Sequence, residues 1–227
     1  MLNDGELHTS LFARHFPFWP YLTSEQKAYM ASNASLLCYR KGTNIHSGEN
    51  ECVGLLLVKS GELRVYMLSE EGREITLYRL REGDVCVLSA SCVLSTITFD
   101  VHVDADTDSE VLLINASAFA ELSRQNVYVE KFSYQLATER FSDVMWTMQQ
   151  VLFMSFDKRL AIFLMDELGK AEGDTLHLTH EQIARYVGTA REVVTRMLKY
   201  FSEEGIVSLS RGGITVLDKK RLRSLTE

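Results

Sequence analysis

The sequence predicts an α+β chain built from an antiparallel β-roll, one long helix and a winged helix-turn-helix, in that order. Three observations predict it: glycines recur at short intervals through residues 35–115, residues 127–153 contain neither Gly nor Pro, and residues 178–217 combine two short helical patterns with a Gly-Gly turn. We place the boundaries at residues 1–125, 126–154 and 155–227.

Short alternating segments separated by turn residues predict the β-roll. Residues 55–66 read as two strands around Ser60-Gly61, and residues 75–80 read as a third strand after a turn. Residues 99–106 alternate strictly between apolar and polar side chains. Because neighbouring side chains in a strand point to opposite faces, we expect one set to be buried and the other exposed. The buried set is Phe99, Val101, Val103 and Ala105, and the exposed set is Asp100, His102, Asp104 and Asp106.

The long helix has an apolar stripe with alternating spacings of three and four residues. This spacing is typical of a coiled-coil seam and predicts a homodimer, although a single buried core helix would also be apolar. The seam residues are Tyr134, Ala137, Phe141, Val144, Met148 and Val151. Bulky residues off the seam are expected to pack on the roll, namely Phe132, Leu136, Met145 and Leu152.

Residues 178–188 predict the first helix of the helix-turn-helix. Thr179 is an N-cap candidate, and Gln182 follows three residues later, as a capping box requires. Gly188 suits the left-handed residue that ends a helix. Thr189 is then expected to cap the second helix, with Glu192 three residues beyond it. Two short helices joined by a tight turn predict that the second helix enters the DNA major groove.

The second helix has one polar face and one apolar face. At about 100° per residue, the polar side chains of Arg191, Glu192, Thr195, Arg196 and Lys199 fall within an arc of about 140°. Arginine binds guanine and glutamate accepts from cytosine in the major groove. We therefore predict base reading by Arg191, Glu192, Thr195 and Arg196. Two simpler alternatives are a solvated face and, for Glu192, a capping box with Thr189.

A hairpin and a basic cluster accompany these helices. Residues 206–210 and 214–217 are β-rich and flank Arg211-Gly212-Gly213, which predicts the wing. Residues 185–223 carry nine Lys and Arg against four Asp and Glu, whereas the whole chain has a net charge of −7. A basic region on an acidic chain favours binding to double-stranded DNA. The candidate phosphate contacts are Thr179, Thr189, Lys199 and Arg211.

Composition excludes several other classes of protein. The N-terminus lacks the basic-then-apolar pattern of a signal peptide, and no apolar run reaches the roughly 20 residues of a membrane span. Four cysteines without an export signal are expected to be reduced thiols. These features predict a cytoplasmic protein with no membrane partner.

Several motifs together resemble the cyclic-AMP receptor and fumarate-nitrate regulator (CRP/FNR) family of bacterial transcription factors. The resemblance spans nearly the whole chain and rests on residues 41–45, 58–66, 72–74, 82–84, 157–161 and the helix-turn-helix. It implies a roll like a cyclic-nucleotide-binding jelly roll, a homodimer, a palindromic operator, control of RNA polymerase and a small effector sensed in the roll. Arg191, Glu192 and Arg196 stand where the cyclic-AMP receptor branch carries its base-reading Arg, Glu and Arg.

The sensor region departs from the family pattern. Leu88 lies near the position of the Glu that holds the cyclic-AMP ribose, and Phe99 lies near the position of the Arg that meets the phosphate. Burying a phosphate without its cationic partner is unfavourable, so cyclic AMP is disfavoured. Haem is also disfavoured, because the turn after Gly83-Asp84 holds no His. The effector therefore stays unknown, and the sensing candidates are Cys86, Leu88, Ser89, Cys92 and Phe99.

The cysteines and histidines leave three alternatives. An iron-sulfur cluster is disfavoured because the spacing of Cys38, Cys52, Cys86 and Cys92 matches no cluster signature. Cys86 and Cys92 could instead form a redox pair, although small buried thiols are the simpler interpretation. A cupin-like metal enzyme would need a His and Glu cluster, and only two of the six His fall in the roll.

The chain could also be a scaffold without sequence-specific DNA binding. We expect no catalytic residues and no metal ligands.

Overall fold

The computed structural model describes residues 4–47, 54–86 and 101–227 of the chain. The chain forms two compact units. The first consists of Met1–Met67 and Leu77–Val144, and the second consists of Leu68–Thr76 and Met145–Glu227. Each unit has its own hydrophobic core. No helix in the described ranges is long and apolar enough to cross a membrane.

Helices precede the roll in the first unit. They are α1 (Asp4–His15), a short 3-10 helix (Trp19–Tyr21) and α2 (Ser24–Ser32). Thr23 and Gln26 form a capping box at the start of α2. The rings of Phe12, Phe16 and Phe18 are buried and form a chain of aromatic contacts that ends on Phe132. This aromatic cluster joins the N-terminal helices to the core of the roll.

The roll consists of two four-stranded antiparallel sheets. One sheet has the order β1-β8-β3-β6, and the other has the order β2-β7-β4-β5. The strands are β1 (Ala34–Tyr39), β2 (Asn44–Ser47), β3 (Leu55–Ser60), β4 (Leu63–Leu68), β5 (Glu74–Leu80), β6 (Val85–Cys86), β7 (His102–Ala105) and β8 (Ser109–Ile114). The strands predicted at residues 55–66 and 75–80 are therefore present.

In the described part of residues 99–106, the apolar side chains are buried as predicted. The polar side chains are not exposed, so that part of the prediction is wrong. Val101, Val103 and Ala105 are buried, whereas His102, Asp104 and Asp106 are half-buried rather than exposed. Phe99 and Asp100 lie outside the described residues. The cause is the neighbouring strand β4, which the local pattern of β7 does not reveal.

A buried arginine on β4 explains why these polar residues are covered. Arg64 pairs with Asp104 across the ladder, and its guanidinium lies 3.6 Å from the Asp104 carboxylate and 4.0 Å from the centre of the Tyr66 ring. The Tyr66 ring stacks on His102 at 5.1 Å. A buried cation needs a charged partner, so this face of the sheet carries a packed polar cluster rather than a solvated surface.

Two helices follow the roll. Asn115 caps α3 (Ala116–Gln125), and α4 (Val127–Phe153) follows as the predicted long helix. Val129 and Leu136 of α4 are buried in the core of the first unit, and Phe132 packs against that core. Met145 and Leu152, for which packing on the roll is also expected, are 45% and 64% exposed.

The second unit contains the predicted winged helix-turn-helix. Its elements are α5 (Phe156–Leu168), β9 (Thr175–Leu176), α6 (His180–Val187), α7 (Arg191–Glu203), β10 (Val207–Ser210), β11 (Gly213–Val216) and α8 (Lys219–Ser224). The three strands form one sheet in the order β10-β11-β9. The predicted hairpin is therefore present, and a third short strand extends it.

Of the two N-caps predicted for the helix-turn-helix, the one at α6 is present and the one at α7 is not. Thr179 and Gln182 form the capping box of α6, and Gly188 ends that helix with a φ of 64°. Thr189 does not cap α7, because Ala190 is its N-cap residue and no side chain bonds there. The interpretation of Glu192 as the capping-box partner of Thr189 is therefore wrong.

Because Thr179 caps a helix and Thr189 does not, replacing each by alanine in the full chain should lower the free energy of unfolding by different amounts. We expect Thr179→Ala to lower the free energy of unfolding of the second unit by about 1 kcal/mol, because it leaves the amide of Gln182 without its acceptor. Thr189→Ala serves as the matched control and is expected to cost less. Urea unfolding followed by circular dichroism measures both, and an equal or larger loss in the control would contradict this assignment.

Candidate nucleic-acid interface

The helix α7 presents one buried face and one exposed face. Val194, Leu198 and Phe201 are fully buried in the core of the second unit. Arg191, Glu192, Thr195, Arg196 and Lys199 are all exposed. Burial of the apolar face therefore leaves the polar face of the same helix free to contact another molecule.

The polar side chains of α7 are mostly uncommitted within the chain. The side chains of Glu192 and Arg196 have no hydrogen bond or ion pair with any other residue that the structure describes. Lys199 forms an exposed ion pair with Glu203 at 3.7 Å, which is a weak interaction in water. Side chains with free donors and acceptors on a rigid helix can bond to base edges without first breaking contacts within the protein.

His180 is a residue of this surface that the sequence analysis missed. It is the first residue of α6, and its ring Nδ1 lies 2.9 Å from the Oγ1 of Thr195 on α7. Partial burial and, to a lesser degree, the nearby Arg191 guanidinium lower the pKa of His180 below its ordinary value of 6.5. A single polar residue at a helix start gives no sequence signal, because the contact depends on how α6 crosses α7.

Arginine side chains bind the carbonyls at the C-terminal end of α6. Arg159 donates to the carbonyl of Val187 at 3.0 Å, and Arg73 donates to that of Gly188 at 3.3 Å. Cations near a helix C-terminus stabilise its unsatisfied carbonyls. Burial, followed by the charge of Arg73, lowers the pKa of Arg159. These contacts fix the end of α6 just before the turn that leads into α7.

The segment Leu68–Thr76 supplies further contacts within the second unit. Thr76 donates its hydroxyl hydrogen to the carbonyl of Arg185 at 2.9 Å, and Arg185 forms an ion pair with Glu74 at 3.1 Å. Arg185 belongs to the basic cluster by sequence, but Glu74 compensates its charge. The positive charge available for DNA is therefore smaller than the sequence count suggests.

The other candidate phosphate contacts lie at different parts of the second unit. Arg211 is exposed in the turn between β10 and β11, and Thr179 is exposed at the start of α6. Thr189 is half-buried. The charge of the last helix is partly used within the protein, because Arg221 of α8 pairs with Glu204.

Four of the six candidate dimer residues are exposed along α4, and Val144 instead packs partly against the core of the first unit. Tyr134, Phe141 and Met148 are 61%, 65% and 46% exposed, and Val151 is also exposed. Ala137 and Val144 are half-buried. A row of large apolar side chains left in water on one helix is a feature of surfaces that pair with another chain.

A buried polar cluster lies where β5 and β6 meet α4 in the first unit. The Tyr78 ring is nine-tenths buried, and the Arg140 guanidinium lies 4.9 Å from its centre. Burial, followed by the nearby Cys86, raises the pKa of Tyr78 well above 10.0. Arg140 also donates to the Asp143 carboxylate at 2.7 Å. The Tyr78 hydroxyl has the Cys86 thiol as a hydrogen-bond partner, whereas the Arg140 Nε has none among the described residues.

The remaining sensing candidates are only partly covered by the structure. Cys86 is fully buried, which opposes the accessibility that redox-active thiols usually need. Leu88, Ser89, Cys92 and Phe99 lie outside the described residues. Within the described ranges, no group of three His, Cys, Asp or Glu residues is arranged to hold a metal ion.

Two family models match the chain. Residues 36–126 match the cyclic nucleotide-binding domain, and residues 158–225 match the Crp-like helix-turn-helix domain. The first match covers the roll, and the second covers α5 to α8.

Individual proteins are also similar to this chain. A crystal structure assigned to the crp/fnr family of transcriptional regulators, from Eubacterium rectale, is 47% identical, with a TM-score of 0.89, 94% of this chain covered and 99% of that one. The cyclic AMP receptor protein of Thermus thermophilus is 26% identical over 75% of this chain and 78% of its own length. FixK2 from Bradyrhizobium japonicum is 21% identical with a TM-score of 0.69, covers 86% of this chain and 98% of its own, and shares the fold.

Proposed function

The chain belongs to the CRP/FNR family of bacterial transcription regulators and is a DNA-binding regulator with an effector-binding domain, and we propose that it acts as a homodimer on a palindromic operator. The exposed and uncommitted polar face of α7 carries this proposal, because its opposite face is locked in the core. Family members regulate transcription, and we propose no enzymatic activity. Its place of action would be the bacterial cytoplasm, where the chromosome lies.

The proposed base contacts follow from side-chain chemistry. Arg191 and Arg196 would bind guanine edges, and Glu192 would accept from a cytosine amino group. The Thr195 hydroxyl is already bonded within the protein, which leaves its methyl group to contact a thymine methyl. These contacts would distinguish base pairs, whereas the rest of the interface would only position the protein.

The proposed phosphate contacts surround this helix. Thr179 is exposed at the start of α6, and Thr189 is half-buried in the turn. Lys199 lies on α7 and Arg211 lies in the wing. Lysine and arginine neutralise phosphate charge and release counterions, so these contacts would supply affinity that is independent of sequence and sensitive to salt.

The proposed dimer places the exposed stripe of α4 against the same stripe of a second copy. The family relationship supports this arrangement, and the stripe residues are Tyr134, Ala137, Phe141, Val144, Met148 and Val151. In a two-fold dimer, each copy would present one α7 to one half-site, one helical turn of DNA apart.

We propose that the effector binds beside the cluster of Tyr78, Cys86 and Arg140. The match to the cyclic nucleotide-binding domain supports a small-molecule site in this unit. The guanidinium Nε of Arg140 is a buried polar atom without a hydrogen-bond partner among the described residues, and a ligand can satisfy it. Because Arg140 belongs to α4, a ligand there would bias the packing of the dimer helix and thereby the spacing of the two α7 helices. Transcription by RNA polymerase would then respond to the signal.

A substitution at the base-reading face tests the DNA proposal. We expect Arg196→Ala to cost about 1–3 kcal/mol on an operator selected from random DNA and much less on a random duplex, because it removes a base contact. Fluorescence anisotropy with both duplexes measures this difference.

Lys199→Ala is the matched control, because it removes a cation one turn away on the same helix. It should weaken both duplexes by similar amounts and lower the salt slope by about one. An equal loss on both duplexes for Arg196→Ala would contradict base reading. A wild-type protein without any preference between the duplexes would instead support the scaffold alternative.

Phe141→Glu tests the dimer. Phe141 is 65% exposed in a single copy, so a charge there should leave the protomer folded and place two carboxylates in the seam of the pair. We expect a monomer by sedimentation equilibrium and a loss of operator affinity. Gln135→Glu adds the same charge about 120° away around α4 and should remain dimeric. A dimeric Phe141→Glu would show that the copies pair elsewhere.

Calorimetric titration with cyclic AMP and cyclic GMP tests the identity of the signal. We expect no binding in the micromolar range, because Arg140 is already paired with Asp143 and Phe99 lies near the position of the family's phosphate-binding arginine. Micromolar affinity for either nucleotide would refute this expectation and would assign the roll to cyclic-nucleotide sensing.

A further inference from the structure

The contact between His180 and Thr195 defines which ring nitrogen of His180 carries hydrogen. The Thr195 Oγ1 lies 2.9 Å from the carbonyl of Arg191 and 2.9 Å from the Nδ1 of His180. A hydroxyl group has one hydrogen, and a carbonyl can only accept. Both contacts are hydrogen bonds only if Thr195 donates to the carbonyl and accepts from His180. The Nδ1 of His180 consequently carries hydrogen.

This assignment determines what the other nitrogen can do. In a neutral ring with hydrogen on Nδ1, Nε2 has a lone pair and can only accept. After protonation, Nε2 becomes a donor and the ring becomes a cation. The bond to Thr195 is the same in both states, so the ring keeps its place while its outer nitrogen changes from acceptor to donor.

The surroundings keep the free ring neutral near pH 7. Partial burial lowers the pKa of His180, and the positive Arg191 of α7 lowers it further. Among the described residues, Arg191 is the charged side chain that shifts the pKa of the His180 ring. The free protein therefore holds an acceptor at Nε2 under neutral conditions, and a nearby anion would reverse this preference.

His180 lies at the edge of the proposed DNA-reading face. It belongs to the first helix of the motif, which crosses the DNA backbone, and it touches Thr195 on the second helix. Taking the proposed DNA-binding function as the basis, we propose that His180 binds a DNA phosphate oxygen through Nε2. When a protomer binds DNA, its His180 takes up one proton from solvent. The proton goes to Nε2, and the phosphate accepts the resulting N–H.

The sign of the pH dependence follows from this uptake. When the pH is above the pKa of His180 in the DNA-bound protein, the ring is neutral in both the free and the bound protein. When the pH is below the pKa of His180 in the free protein, the ring is protonated in both. Between these two values, binding takes up a proton, so affinity rises as pH falls, by at most about tenfold per pH unit for each protomer. Because a phosphate contact does not depend on base sequence, random and selected duplexes should both show it.

Anisotropy titrations of the full-length protein test the proposal, from about pH 5.5 to pH 8 at constant ionic strength. His180→Gln removes titration but keeps an amide that can bond, and we expect its affinity to be flat over this range. His177→Gln is the matched control, since His177 is exposed three residues earlier, and it should retain the wild-type slope. A His180→Gln variant with the wild-type slope would overturn the proposal.

Nitrogen-15 NMR of the wild-type protein supplies a test that needs no variant. We expect the Nδ1–H tautomer of His180 in the free protein and a doubly protonated ring after addition of either duplex. An Nε2–H tautomer, or a ring that stays neutral when DNA binds, would overturn the inference. If Nε2 instead accepts from a base amino group, acid should weaken binding, and the proposal is wrong.

The same measurements separate this inference from the proposed function. Wild-type binding to selected DNA without a pH slope would contradict only the role of His180. Absence of binding to every duplex at every pH would contradict the regulator proposal and, with it, this inference.

Discussion

The burial of one side of α7 is the constraint on which the rest of the second unit depends. Val194, Leu198 and Phe201 are fully buried, and each fully buried side chain of this size contributes about 1.5–3 kcal/mol. Rotating α7 would expose these residues, so its polar face has one stable orientation. Arg191, Glu192 and Arg196 are exposed together because the opposite side of α7 is held in the core.

Contacts at both ends of α6 complete this arrangement. A capping box satisfies its first amides, and Arg159 and Arg73 bind its last carbonyls. His180 and Thr195 then link the start of α6 directly to the exposed face of α7. The exposed polar face of α7 is therefore supported by hydrogen bonds as well as by apolar packing, and one of these bonds involves the titratable ring of His180.

The long helix α4 has a similar division of faces. Val129 and Leu136 are buried against the roll, while Phe141 and Met148 remain exposed. Arg140 lies beside Tyr78 on the inner side, and its neighbour Phe141 lies on the exposed stripe. A change at the polar cluster can therefore reach the proposed dimer seam within one turn of helix, which suits an element that responds to a signal.

Local sequence patterns determined the order of elements, the Thr179 capping box, the left-handed Gly188 and the two faces of α7, because each depends on residues within a few positions of one another. Tertiary structure alone decided that Arg64 and Tyr66 cover the polar side of β7, that Glu74 compensates Arg185 and that His180 bonds to Thr195. Most of these contacts join residues far apart in sequence or on different elements. Their existence depends on how strands and helices pack, which no short stretch of sequence specifies.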